Sequence, residues 1–147
     1  MKQIIIRENN FQKARKKIKE NSGKTIVFAS SDDELNRKML EKEKIDILLP
    51  DLSKRKDKMK QRDSGFNHVL ARLAKNKNIS LGIDFDEITN SKPKEKSEIL
   101  ARIRQNIKLC NKNKINMKFI SSKKEDRYNL KSLGLLLGMP TNMVKNL

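Results

Sequence analysis

The sequence predicts an α/β fold of parallel βα repeats, with about five strands curling into a partial, incomplete barrel. Two observations carry this reading. Short β-branched or aliphatic runs alternate with segments whose apolar residues fall at helical spacing. The repeats are also about 20 residues long, which suits parallel strands with covering helices rather than hairpins. The 147 residues read as a single domain, in which 1–52 hold three βα units, 53–63 a basic loop and 64–147 the remaining units.

Gln3 to Ile6 is strand one, and Phe11, Ala14 and Ile18 form the stripe of helix one, stopped at Asn21-Ser22-Gly23. Thr25 to Ala29 is strand two. Ser31 is the predicted N-cap of helix two, with Glu34 at the capping-box position and Leu35, Met39 and Leu40 facing the core. Ile45 to Leu49 is strand three, ended by Pro50-Asp51 because proline cannot donate to a ladder.

Ser53 to Arg62 breaks the rhythm: six of its ten residues are basic and only Met59 is apolar, which predicts an exposed loop. Phe66, Val69, Leu70 and Leu73 resume helical spacing, and Ile79 to Phe85 is strand four with its apolar residues on alternate positions. After a turn at Asn90 to Pro93, the longest helix runs from about Lys94 to Asn113, burying Ile99, Leu100, Ile103, Ile107 and Cys110. Met117 to Ile120 is strand five. A charged loop, Ser121 to Asp126, leads into Leu130, Leu133, Leu136 and Leu137, a last helix closed by Gly138-Met139-Pro140.

Composition narrows the function. Lys and Arg number 35 against 18 Asp and Glu, a formal charge of +17, which predicts a polyanionic partner. One cysteine and one histidine exclude an intrachain disulfide scaffold and a structural zinc site built from a Cys/His cluster. The longest wholly apolar stretch, Leu135 to Leu137, is far short of the roughly 20 residues of a membrane span, and the N-terminus turns charged too soon for a signal peptide. The expected compartment is the cytoplasm, with no membrane partner.

Catalytic motifs are missing. The sequence has no GxxxxGK[ST], GxGxxG or GxSxG segment, and its single His68 cannot supply the imidazoles of a metal-assisted phosphoesterase. Asp84, Asp86 and Glu87 are the one tight carboxylate group at a strand end. They read as a solvated acidic end ahead of an oxygen-ligand Mg²⁺ site. His68 reads as a helix-terminal side chain bonded to backbone, and Cys110 as a buried thiol. The expectation is no catalytic residue, no protein-bound metal and no intrinsic active site.

The basic residues carry more information. Arg104, Lys108 and Lys112 stand at i, i+4 and i+8, opposite the apolar stripe, and form a cationic ridge. With Lys54, Arg55, Lys56, Lys58, Lys60 and Arg62 in the loop, Arg72 on the preceding helix, and Lys123, Lys124 and Arg127, they are candidate RNA contacts. Each neutralised phosphate adds sequence-independent affinity. With few aromatic side chains outside apolar patterns, backbone and shape recognition of structured RNA is favoured over single-strand stacking.

The stretch Arg62-Asp63-Ser64-Gly65-Phe66-Asn67-His68-Val69-Leu70-Ala71-Arg72-Leu73-Ala74, running into Ile79 to Phe85, resembles ribonuclease P protein component 3, an archaeal and eukaryotic subunit with a TIM-like βα barrel. The resemblance continues through Ile103 to Leu109, Phe119-Ile120-Ser121-Ser122 and Asn129 to Met139, and covers about Ile45 to Met139. The family's barrel is similar to the metal-dependent phosphoesterases of the polymerase and histidinol phosphatase (PHP) superfamily. The resemblance implies a non-catalytic protein subunit of ribonuclease P that helps remove 5′ leaders from precursor tRNA. Its implied partners are the RNase P RNA, precursor tRNA and protein component 2, with Mg²⁺ held by the RNA and no cofactor on the protein.

Two departures accompany the resemblance: the family's Gly-Ala after the strand-five serine is replaced by Ser122-Lys123, and members are longer than this chain. On this reading about two initial βα units are missing from the barrel. That predicts free strand edges at Gln3 to Ile6 and near Met117 to Ile120, covered by self-association or by component 2. A metal phosphoesterase centred on Asp84, Asp86 and Glu87, or a generic RNA-binding, ribosome-associated protein, are the alternatives.

Overall fold

The computed structural model describes residues 2–147. Five parallel strands are joined by right-sized helical crossovers, in the order β1 (Gln3–Arg7), α1 (Phe11–Glu20), β2 (Thr25–Ser30), α2 (Asp33–Lys42), β3 (Ile47–Pro50), α3 (His68–Asn76), β4 (Ser80–Asp84), α4 (Phe85–Thr89), α5 (Pro93–Asn113), β5 (Met117–Ile120), α6 (Arg127–Leu136) and α7 (Thr141–Lys145). The sheet order β1-β2-β3-β4-β5 follows the chain and leaves β1 and β5 as its edges. This is a half-barrel of the TIM-like kind.

Strand register explains the core. Ile6 pairs with Phe28, Phe28 with Leu48, Leu48 with Leu81 and Leu81 with Met117, so one row of buried apolar residues crosses all five strands beneath the helices. The helices answer with Ala14 and Ile18, Met39 and Leu40, Leu70 and Ala74, and Ile99, Ile103, Ile107 and Cys110. The concave face carries a second, smaller cluster of Val27, Ala29, Ile47, Leu49 and Ile120.

Curvature closes that smaller cluster. In a flat sheet β1 and β4 would be about 14 Å apart, yet Arg7 at the end of β1 reaches Asp84 at the end of β4 at 3.3 Å. Gly82 makes the bend possible. A Cβ there would lie 2.8 Å from Leu49 Cδ1, 3.0 Å from Ile47 Cγ2 and 3.4 Å from Ile120 Cγ1, so the side chains of β3 and β5 meet over a residue with no side chain.

Several boundaries differ from the sequence reading. Asp32, not Ser31, caps α2, accepting the Glu34 and Leu35 amides at 3.1 and 3.3 Å. Its carboxylate is the stronger acceptor at the positive helix end. Pro50 closes β3 instead of lying outside it, since a last residue has no further ladder bond to donate. Phe85 begins the short helix α4, capped by Asp84. Val69 and Leu136, which fall in the apolar spacing of α3 and α6, are 51% and 76% exposed. Among the described residues no helix is long and apolar enough to cross a membrane.

Gly82→Ala should therefore lower stability by about 1–3 kcal/mol through overpacking, read as a lower urea midpoint. An unchanged or higher midpoint would show that the concave cluster yields at no cost.

Candidate nucleic-acid interface

The basic loop after β3 is not free. α5 places Arg102 within its apolar stripe, 2% exposed, between Ile99 and Ile103. Its guanidinium donates Nη1–H to Leu52 O at 2.8 Å and Nη2–H to Arg55 O at 2.8 Å, and pairs with Asp57 Oδ1 at 3.3 Å. One helical turn further on, Gln105 Nε2 donates to Arg62 O at 3.0 Å and Asn106 Nδ2 to Ser64 O at 3.4 Å. Arg102, Gln105 and Asn106, within about one turn of α5, thus hold the loop by its backbone, which leaves Lys54, Lys56, Lys58, Lys60 and Arg62 to solvent.

A second guanidinium completes the clamp. Arg55 forks onto Asp33 at the start of α2 with both contacts at 2.8 Å, reaches Asp63 at 3.4 Å and donates Nε–H to Asp51 O. The hydrogen bonds to Asp33 hold its guanidinium above its ordinary pKa, against the opposing effect of burial. Gly65 is required beside it: at φ +72 it takes a left-handed conformation, and a Cβ would lie 2.5 Å from Arg55 Nη2. Arg55 therefore leaves the set of candidate phosphate contacts, because its side chain is 9% exposed and already neutralised.

The other candidates are exposed. Lys54, Lys56, Lys58, Lys60 and Arg62 line the outside of the clamped loop, and Arg104, Lys108 and Lys112 stand on the outer face of α5. Arg72 lies exposed on α3, which packs beside α5 and is tied to its end by Lys75 Nζ donating to Lys114 O at 3.1 Å. Among the described residues, the ion pairs fall on Arg7, Arg15, Lys17, Arg37, Arg55 and Arg102, so none of these exposed cations is paired. Lys123, Lys124 and Arg127 are also exposed but follow β5. Their segment is held by Asp86, which accepts the Ser122 amide at 2.9 Å and the Ser121 hydroxyl at 3.3 Å.

The strand-end mouth has the opposite character. A cleft of about 460 Å³ opens there, with Arg7, Glu8, Asp51, Asp84 and Glu87 among its lining. Asp84 pairs with Arg7 and caps α4 through the Glu87 amide at 3.2 Å, while hydrogen bonds from Ser122 hold Asp86 below the usual carboxylate range. Glu87 accepts the Leu52 amide at 3.1 Å; burial, reinforced by the neighbouring Asp51, pushes it up to about 8. Burial also opposes ionisation of Asp51, but hydrogen bonds from Glu87 and Ser53 outweigh it and hold Asp51 low.

The three acids are thus not the solvated end that the sequence suggests, because each is committed to a different structural partner. Among the described residues no group of three or more His, Cys, Asp or Glu is placed to hold a metal ion. His68 is exposed as the first residue of α3, where Asn67 Oδ1 rather than the imidazole bonds the backbone, accepting from the Leu70 amide at 2.9 Å. Cys110 is buried as expected, and burial pushes its thiol up to about 12.

The raised Glu87 makes stability depend on pH with a definite sign. The folded chain keeps a proton that the unfolded chain releases near 4.5, so this contribution is complete below 4.5 and is lost as pH rises through about 8. The urea midpoint of the native chain should fall across that window, and Glu87→Gln, which stays neutral, should flatten the fall. A parallel decline in the variant would place the effect elsewhere.

Comparison with known proteins places this geometry. Ribonuclease P protein component 3 of Methanococcus maripaludis is 31% identical over 132 residues, covering 89% of this chain and 53% of that protein. The corresponding protein of Methanocaldococcus jannaschii is 30% identical over 132 residues, covering 88% and 53%. The chain thus spans about half the length of these curated relatives. A chain in the cryo-EM structure of archaeal ribonuclease P with mature tRNA shares the fold at a TM-score of 0.79 and 24% identity, covering 98% of this chain and 62% of that one. The family described as RNase P subunit p30 matches residues 3–145, from the first strand to the last helix, and this chain belongs to it.

Proposed function

We propose that this chain is a protein subunit of ribonuclease P, binding the RNase P RNA and promoting removal of 5′ leaders from precursor tRNA in the cytoplasm. The observation that carries the reading is the clamped loop and adjoining helix face, where unpaired Lys and Arg side chains are exposed while the backbone beneath them is held by Arg102 and Gln105. Such a surface neutralises phosphates without reading bases. Membership of the p30 family supports the ribonuclease P context, and component 2 is the protein partner on this reading. Hydrolysis in this reading is carried by Mg²⁺ on the RNA, with the protein holding the RNA in place and contributing no catalytic group.

Reconstitution tests it. With the RNase P RNA and component 2 present, adding this chain should raise precursor-tRNA cleavage at low Mg²⁺, and no stimulation would sink the assignment. Recovery of a different RNA with the purified chain would point instead to general RNA binding.

The salt dependence of binding locates the contacts. Replacing Arg104, Lys108 and Lys112 by Ala should flatten the slope of log affinity against log salt by up to about 0.9 per lost contact on duplex-like RNA, taking the B-DNA value. Arg55→Ala should instead lower stability and loosen the loop to proteolysis. If the triple variant keeps the native slope, the ridge is only a solvated helix face.

A further inference from the structure

A further cleft, of about 380 Å³, opens beside the clamped loop, between the starts of α2 and α3. Its walls differ in chemistry. The loop contributes Lys58, Gln61 and Arg62 on a fixed backbone: the Lys58 and Gln61 amides each donate to the other's carbonyl, at 2.9 and 3.2 Å, and Gln105 holds Arg62 O at 3.0 Å. The start of α2 contributes Asp33 and Glu34, with Asp63 joined to Asp33 through Arg55. From α3 comes an apolar side chain that the core leaves 51% exposed, Val69.

The charges of this cleft balance. Arg37 is paired with Glu41 at 3.0 Å, so Lys58, Arg62 and the Arg55 fork stand against Asp33, Glu34 and Asp63. An acidic peptide entering it would meet three carboxylates, and a bare phosphate would gain nothing by leaving the cationic rim. A protein anchor would need a larger apolar patch than Val69 offers, because Phe66 and Leu70, which also line the cleft, are each only 5% exposed. A nucleotide is divided as the cleft is divided: its phosphate is anionic, the faces of its base are apolar, and an exocyclic amine on the base edge donates hydrogen bonds.

We propose that this cleft takes one unpaired nucleotide of the bound RNA, with its phosphate at Lys58 and Arg62, its base against Val69 and its exocyclic amine donating to Glu34. The inference rests on the RNA-binding reading and adds a base contact to a surface otherwise built for phosphates. Carboxylates accept from base amines, and amides such as those of Gln61 and Asn67 suit adenine edges. Structured RNA offers such an edge and face together only where a base is unpaired. The hydrogen bonds that hold the loop set the rim before the nucleotide arrives, so little ordering entropy is lost on binding.

The test compares three RNA hairpins of the same stem, carrying one bulged adenosine, one bulged uridine or no bulge. The adenosine bulge should bind at least about fivefold more tightly than the paired stem, the lower end for one contacted base. The uridine bulge, which lacks an exocyclic amine, should gain less. Val69→Ser should bring the ratio of adenosine-bulged to paired affinity towards one. Glu34→Ala tests the sign: it should lower that ratio, whereas a cleft that meets only phosphate would bind every hairpin more tightly without the carboxylate. Both variants are checked for a native circular dichroism spectrum. A 6-thioguanosine in the bulge, which keeps an exocyclic amine, should photocrosslink to the segment 58–70 or to the start of α2.

Equal binding of bulged and paired hairpins by the native chain overturns the proposal and leaves the RNA-binding reading standing; binding of no hairpin overturns both. A bulge preference that survives Val69→Ser and Glu34→Ala, or crosslinks confined to other segments, puts the unpaired base elsewhere and overturns it as well. A glutamate-rich peptide that displaces the crosslink more effectively than unlabelled bulged hairpin would make the cleft a protein site instead.

Discussion

The arrangement depends on one buried cation. Arg102 sits inside the apolar stripe of α5, where an unpaired guanidinium would cost several kcal/mol of desolvation. Leu52 O, Arg55 O and Asp57 meet it, and all three belong to the loop after β3. Burying the charge and shaping the loop are therefore the same event: the chain from 52 to 57 must wrap the guanidinium or leave it unsatisfied. Lysine would not serve, because a point charge lacks the planar fork that reaches two carbonyls at once. Arg55 then repeats the device in the other direction, joining the loop to Asp33 of α2.

Charge is consequently sorted by side of the fold. Carboxylates collect at the strand ends, where Arg7, the Leu52 amide and the α4 N-terminus engage them, while unpaired cations stand on the outside of the loop and of α5. βα barrels ordinarily place their chemistry at the strand ends. Here that end is an internal network that anchors the same loop, since Glu87 accepts the Leu52 amide one residue from Asp51. The mouth anchors the loop, and the outer surface is left with the unpaired cations.

The sheet was legible in the sequence because its signals are local. Gln3 to Ile6, Thr25 to Ala29 and Met117 to Ile120 are β-branched or apolar runs whose burial needs no long-range information, and all three are strands. The five-stranded partial barrel follows from their rhythm. What escaped depends on contacts remote in sequence. Arg55 reads as one more cation of a basic run until Asp33 is found beside it, 22 residues away. Arg102 did leave a trace, as a charged residue between Ile99 and Ile103 on a stripe that is otherwise apolar. Two of its three partners were invisible, however, because they are backbone carbonyls, which any sequence supplies. Leu136 misled for the converse reason: helical spacing marks an apolar face, but only a neighbouring element decides whether that face is covered.

A count of basic residues therefore overstates a binding surface in one way and understates it in another. Arg55 and Arg102 add to the formal charge but are neutralised within the fold. The remaining cations of the loop gain from that loss. Five like-charged side chains within nine residues, Lys54 to Arg62, repel one another and would extend an untethered segment. Held at Leu52, Arg55, Arg62 and Ser64 by hydrogen bonds from α5, the loop cannot relax that repulsion by straightening. A polyanion can relax it, and the loop is already ordered when the polyanion arrives. Relief of repulsion and avoided ordering entropy then act in the same direction, so on the proposed reading two arginines that touch no phosphate would strengthen the binding of one.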